Sequence, residues 1–321
     1  MHSQITAFTI CTFIFSCSLT SAYTLVHNYD YTNWYTSFAF QNLPDPTQGT
    51  VEYIALAEAQ SSGLTRIIGN QVFMGVDNTT FIPATSSAGR KSIWIESNDE
   101  FLHGLLIGDF AHIPGSDCGS WPGFWTIRNG QGTYGEIDIL ESFSDNTIAF
   151  STLHTAGQCT FNAPSSTQLG TPNEDDYDCN LSTPGCSVKG PAGSYGDPFN
   201  AGGGGVYAMQ WTSDFIKIFF FPRSAIPADI IAGNPDPTQW GLPTANFDTA
   251  FGDCDIDACF PPQTIYFDTT FCGGNAGGAS WTSWTDCSSK TGLSTCEEYV
   301  RTQPGAFDEA YWLVNSVKVY Q

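Results

Sequence analysis

The apolar residues of this chain fall into short runs closed by Gly, Pro, Asn or Asp, and that punctuation restricts the fold more than any other feature. Runs at 50–55, 92–96, 105–110, 135–141, 148–154, 205–211, 215–221, 265–271 and 311–319 are too short for core helices. They are rich in β-branched and aromatic residues, which suit a pleated, half-buried surface. No stretch keeps a long 3.6-residue period. With 32 Gly, 18 Pro, 24 Phe, 13 Tyr and 9 Trp, the chain reads as an all-β sandwich. The segment 165–198 is too long for a hairpin and reads as a loop of the kind that carries binding or disorder. The glycine run 201–205 has no Lys-Ser/Thr after it, so it reads as a loop entering a strand rather than a phosphate cradle.

Residues 1–22 hold an apolar stretch and end in Thr20-Ser21-Ala22, the small residues that signal peptidase accepts. They read as a cleaved leader, with 23–321 as a single domain because no repeat or composition shift divides it. Secretion to the extracellular space follows, and no later segment is apolar enough for a membrane span. Of eleven cysteines, Cys11 and Cys17 would leave with the leader. The remaining nine read as a disulfide framework with one thiol left over. Their pairing stays open, although Cys254 and Cys259 flank a short loop and Cys272, Cys287 and Cys296 crowd the carboxy-terminal region. Two glycosylation sequons, at Asn78 and Asn180, suit the same setting. A formal net charge of −22 repels phosphate backbones and anionic lipid, so nucleic acid and membrane surfaces are poor partners and a neutral polysaccharide is compatible.

The most informative segment is Gly135-Glu136-Ile137-Asp138-Ile139-Leu140-Glu141, three carboxyls in an apolar, strand-forming stretch. Alternation places Glu136 and Asp138 on one face and turns Glu141 to the other. A bulge near Ile139 or Leu140 would return Glu141 to the first face. Carboxyls crowded on one concave face repel one another, which raises at least one pKa and keeps a proton available. One protonated acid facing one carboxylate is what glycosidic cleavage needs. A merely solvated acidic strand is the competing reading, and the flanking residues weigh against it.

This segment resembles the active-site signature of glycoside hydrolase family 16, the laminarinase and lichenase family, in its bulged form. The likeness runs on through Gly89-Arg90-Lys91-Ser92, Gly104-Leu105, Gly119-Ser120-Trp121-Pro122-Gly123-Phe124-Trp125-Thr126, Leu153-His154-Thr155, Gly203-Gly204-Gly205-Val206-Tyr207-Ala208, Phe220-Phe221-Pro222-Arg223, Thr270-Phe271-Cys272-Gly273 and the closing residues 311–321. It is strongest toward fungal secreted endo-1,3(4)-β-glucanases. The resemblance implies a concanavalin-like β-jelly-roll with a cleft across one sheet, and retaining hydrolysis of β-1,3 or mixed β-1,3/1,4 glucan. Glu136 becomes the nucleophile, Glu141 the general acid and base, and Asp138 the assisting carboxyl.

Trp121 and Trp125 are placed beside the catalytic strand as sugar-stacking residues, Trp121 in a turn at Pro122 and Trp125 with core packing as its alternative. His154 is a candidate substrate contact near the nucleophile. The chain departs from the family pattern at Gln131-Gly132, where relatives carry Trp-Pro, and at Asn275, where an aromatic platform is common. Trp94 stands where Arg is common and Gln210 where Glu is common.

No cofactor is expected. The absence of a His-Glu-x-x-His or paired Cys-x-x-Cys motif argues against a metal centre. The alternation Asp253, Asp255, Asp257 reads as a solvated loop in preference to a calcium site. No Gly-x-Ser-x-Gly elbow is present for a serine hydrolase. A monomer is expected. Two readings compete with hydrolysis: a lectin-like sandwich that binds β-glucan without turnover, and a β-glucan transglycosylase that uses the same carboxyls.

Overall fold

The computed structural model describes residues 23–128, 134–173 and 176–321. The expected leader, residues 1–22, and Gln131-Gly132 lie outside the described residues. Two eight-stranded antiparallel sheets face each other. The rear sheet runs, edge to edge, through Ala245–Asp248, Phe215–Pro222, Gly205–Trp211, Gly104–His112, Tyr311–Tyr320, Gln71–Gly75 and Thr65–Ile68, with Leu25–Tyr29 also pairing onto Tyr311–Tyr320.

The front sheet holds six strands used below: β1 (Trp94–Ser97), β2 (Ser120–Arg128), β3 (Gly135–Glu141), β4 (Phe150–Thr155), β5 (Cys186–Lys189) and β6 (Thr264–Phe271). Their spatial order is β5-β4-β3-β2-β6-β1, with Thr171–Pro172 outside β5 and Phe38–Phe40 outside β1. The jelly-roll expectation is met.

Alternation builds the core. Phe124 of β2 and Phe267 of β6 stack at 4.7 Å, and the rear-sheet rings Phe110 and Trp312 meet Phe267 edge-on at 5.9 and 5.3 Å. Such pairs contribute about 0.5–1.5 kcal/mol each beyond their area burial. They also fix how the front sheet lies on the rear one.

A second cluster forms around Phe271, Trp281, Val300 and Phe307, laced by Cys118–Cys287 and Cys272–Cys296. Arg90 is buried beside it, its guanidinium donating to the carbonyls of Val300, Asp77, Thr80 and Arg301. That motif residue therefore ties the loop at Asp77 and Thr80 to the helix Cys296–Thr302 and does not reach the catalytic carboxyls. Cys159–Cys254 and Cys179–Cys186 complete the pairing among the described residues, where Cys259 is the unpaired thiol.

Four local expectations need correction. The Trp121-Pro122 turn is absent: both residues lie inside β2. A strand residue's N–H and C=O point to the same side, and Pro122 C=O accepts from Ser142 N, just past the last β2–β3 pair at Glu141–Gly123. The missing proline N–H thus faces a place where the ladder has ended. Segment 165–198 is not one loop, because it contains β5, whose first residue is fixed by the Cys179–Cys186 bond. Gln210 sits in the rear sheet, its amide donating to Tyr23, so that departure does not touch the cleft. Asp255 and Asp257 are not merely solvated: Asp255 caps the helix Ile256–Cys259 and Asp257 meets His103 at 2.9 Å, while Asp253 is exposed.

The glycine run ends a short helix and enters the rear sheet. Gly204 has φ +89°, and a Cβ there would lie 2.1 Å from Phe110 O. Glycine is thus required for close strand approach rather than for ligand contact.

Candidate active site

Strand β3 carries the three carboxyls, and its other face is apolar: Ile137, Ile139 and Leu140 are all at 0% exposure. Glu136 pairs with His154 on β4 and Ile127 on β2, and Asp138 with Thr152 and Trp125. The register then slips. Glu141 pairs with Phe150 and Gly123, so β3 spends one residue more than either neighbour between Asp138 and Glu141. The bulge falls at Ile139, whose carbonyl accepts a hydrogen bond from Ser151 Oγ at 3.0 Å. The extra residue brings Glu141 back to the face of Glu136 and Asp138, as the sequence required.

The surroundings favour neutral carboxyls. Burial, reinforced by the negative charge of Glu141, pushes Glu136 up to about 7, while a hydrogen bond from Tyr134 Oη pulls the other way. Burial likewise raises Glu141 to about 7, against the indole N–H of Trp121, which donates to it at 2.6 Å. Asp138 is raised well above the usual range by burial and then by its two glutamate neighbours. At 5% exposure, its Oδ2 has no hydrogen-bond partner among the described residues. The three titrate as a set. Near neutral pH such a set carries fewer charges than carboxyls, so a proton donor and an attacking carboxylate coexist on one face.

His154 projects beside them, its Nε2 3.5 Å from Asp138 Oδ2. Burial lowers its pKa to about 4, so at neutral pH the ring is uncharged. Gly185 of the neighbouring segment leaves room for it: a Cβ there would lie 2.5 Å from His154 Cε1.

Trp121 and Trp125 line the same face and are half-buried, so neither is a core residue. Trp125 stacks on Tyr266 at 4.6 Å and donates to Asp268 Oδ1 at 2.9 Å. Both indoles thus serve carboxyls with their N–H groups and have ring surface left over for the cleft.

Sequence reasoning missed Tyr134 and Asp268. Asp268 also accepts from Tyr53 Oη at 3.2 Å, and burial raises it to about 8. Gly123 stands between Glu141 and Asp268 in the cross-strand row, and the room its missing Cβ leaves is taken by the Trp125 indole and Asp268 Oδ1, at 2.9 and 3.1 Å from where that Cβ would lie. The signal was available, since an Asp in the apolar run 265–271 is the same anomaly that marked β3. Trp94 lies in the next position of this row, between Tyr53 at 5.3 Å and Tyr266 at 6.4 Å. It supplies an aromatic wall where a charged side chain is common.

Residues 38–320 match the model of a family described as XgeA-like, catalytic GH16 domain. A probable endo-1,3(4)-β-glucanase of Aspergillus niger is 43% identical over 94% of this chain, which spans 40% of that relative's length. An endo-1,3(4)-β-glucanase of Arthroderma benhamiae is 38% identical over 94% of this chain and 65% of its own. Among solved structures, an elongating GH family 16 β-1,3-glucosyltransferase superposes with a TM-score of 0.85 at 41% identity, over 94% of this chain and all of that one. Laminarinase 16A of Phanerochaete chrysosporium, holding 6-O-glucosyl-laminaritriose in donor and acceptor sites, superposes at 0.84 with 35% identity and the same coverage.

Proposed function

The chain belongs to glycoside hydrolase family 16, and from that membership we propose that it cleaves internal bonds of β-1,3 or mixed β-1,3/1,4 glucans by a retaining double displacement. The observation that carries this reading is the bulge at Ile139, which sets Glu136, Asp138 and Glu141 on one face in a setting that holds a proton at neutral pH. Glu141 protonates the leaving glycosidic oxygen while the Glu136 carboxylate attacks the anomeric carbon. The leaving chain departs with that proton. Glu141, now ionised, takes a proton from water, whose oxygen displaces Glu136 from the sugar. Asp138, held protonated by burial, shares its proton with Glu136 and steadies the charge that Glu136 gains and loses. Trp121 and Trp125 supply ring faces for the sugars, and His154 a neutral polar contact beside the nucleophile.

The relatives named endo-1,3(4)-β-glucanases support the substrate class. The four disulfides support an exported protein acting outside the cell. A second reading has its own support: the likeness to an elongating β-1,3-glucosyltransferase favours transfer, in which a sugar hydroxyl replaces water in the second step. A lectin-like binder has no chemical use for the complete carboxyl set.

Reducing-end release and product size on laminarin, barley mixed-linkage glucan and cellulose test the proposal, with Glu136→Gln as control. Release from the first two, cut about 10³-fold or more by the substitution, is the expected result. Products longer than the substrate would establish transfer instead. Full activity of Glu136→Gln would remove Glu136 as nucleophile.

A further inference from the structure

We propose that Glu136, Asp138 and His154 form a binding site for a zinc-class divalent transition metal, and that its occupation shuts the cleft. The inhibition rests on the catalytic reading above; the metal site rests on geometry alone. The sequence contains no recognisable metal motif because its three ligands come from neighbouring strands, brought opposite one another by the β3–β4 pairing of Glu136 with His154. One ligand atom from each, an oxygen of Glu136, an oxygen of Asp138 and a ring nitrogen of His154, lies within 4.8 Å of the other two.

The donor set fits that metal class. Two carboxylate oxygens and one imidazole nitrogen match open zinc sites, whereas calcium and magnesium prefer six or more oxygen ligands. Tetrahedral zinc with bonds of about 2.0–2.2 Å places its ligand atoms roughly 3.4 Å apart. The Asp138 Oδ2 to His154 Nε2 separation is 3.5 Å, already that edge. Only the Glu136 carboxylate, on a rotatable side chain, must close in. Asp138 Oδ2 is the buried oxygen without a partner, and it faces this point. On binding, the ion displaces the protons that burial holds on these carboxyls, and the two resulting carboxylates match its charge, while the net charge of −22 concentrates cations around the chain.

Occupation has a direct chemical consequence. The Glu136 oxygen that donates its lone pair to the metal no longer attacks an anomeric carbon, and the ion takes the space of the reacting sugar. Metal and glucan therefore compete.

Isothermal titration of the chelator-treated chain with zinc chloride alone tests the site without reference to activity. One site per chain is expected, weakened at least tenfold in His154→Gln, with no comparable binding of magnesium. Unchanged affinity in a folded His154→Gln protein would overturn the proposal. Should that variant not fold, zinc-soaked crystals of the unmodified chain decide: anomalous density among the three residues supports the site, and density only elsewhere, such as at His103 and Asp257, refutes it. Zinc binding by a chain that releases no sugar would leave the metal site standing and remove the glucanase reading.

Discussion

Tyr134 stands two residues ahead of Glu136 and donates its phenolic proton to it, opposing the burial that raises that carboxyl. Tyr134→Phe removes the opposing contact. The acidic limb of the kcat/KM profile should then move to higher pH, with kcat down about tenfold, or ~1.4 kcal/mol. An unmoved limb would mean the phenol does not govern Glu136. A stability consequence follows at the same scale. Glu136 and Glu141 have folded pKa values raised to about 7, above the ordinary carboxyl range. The folded state thus holds these protons more tightly than the unfolded chain. Their contribution is fully present below the ordinary carboxyl pKa and is lost as pH rises through about 7. Glu141→Gln removes one such group, so its melting temperature should equal the parent's at pH near 4 and exceed it at pH near 8. Equal melting at both would contradict the burial account.

At the scale of elements, β3 was readable because its carboxyls break an apolar run, and its ends fall where alternation put them. The strand beside it, β2, was not, because Pro122 and Gly123 are turn residues by local chemistry and only the end of the ladder at Glu141 makes proline harmless there. The strand β5, next to the sheet edge, was hidden inside a polar stretch, since its first residue is held by the Cys179–Cys186 bond, which has a sequence separation of 7. Loop-closure entropy assigns such a link ~2.5 kcal/mol. Replacing both cysteines by Ser should lower unfolding free energy by about that amount, measured by denaturant titration. It should also raise KM more than it lowers kcat, because β5 backs His154 and not the glutamates. Gly185→Ala gives a sharper version of this test: φ is +90° and the new methyl would meet the His154 ring. Its stability should fall by about 1–3 kcal/mol, with His154-dependent binding lost.

For the whole molecule, the proposed substrate decouples charge from binding. A chain of net charge −22 acting on the neutral glucan proposed above gains nothing from electrostatic steering. Its kcat/KM on laminarin should therefore stay within about twofold between 50 and 500 mM NaCl, over which the Debye length shrinks about threefold. A steep salt dependence would point to a charged polysaccharide. Aromatic rings clamp the two sheets together, while Cys118–Cys287 ties the segment entering β2 to the helix Cys287–Thr291 across a sequence separation of 169.

The sequence by itself determined the strand-rich class, the position of the carboxyl strand, the need for a bulge in it and the presence of one odd cysteine. These are local properties, written in residue period and composition. The tertiary structure alone decided that Trp121 serves Glu141, that Tyr134 serves Glu136, and that Asp268 and His154 share the cleft. Each of those depends on cross-strand register between segments far apart in the chain, and register is set by which faces are buried together. A carboxyl's partners and its proton are decided by that packing, where burial outweighs what its neighbours in sequence predict.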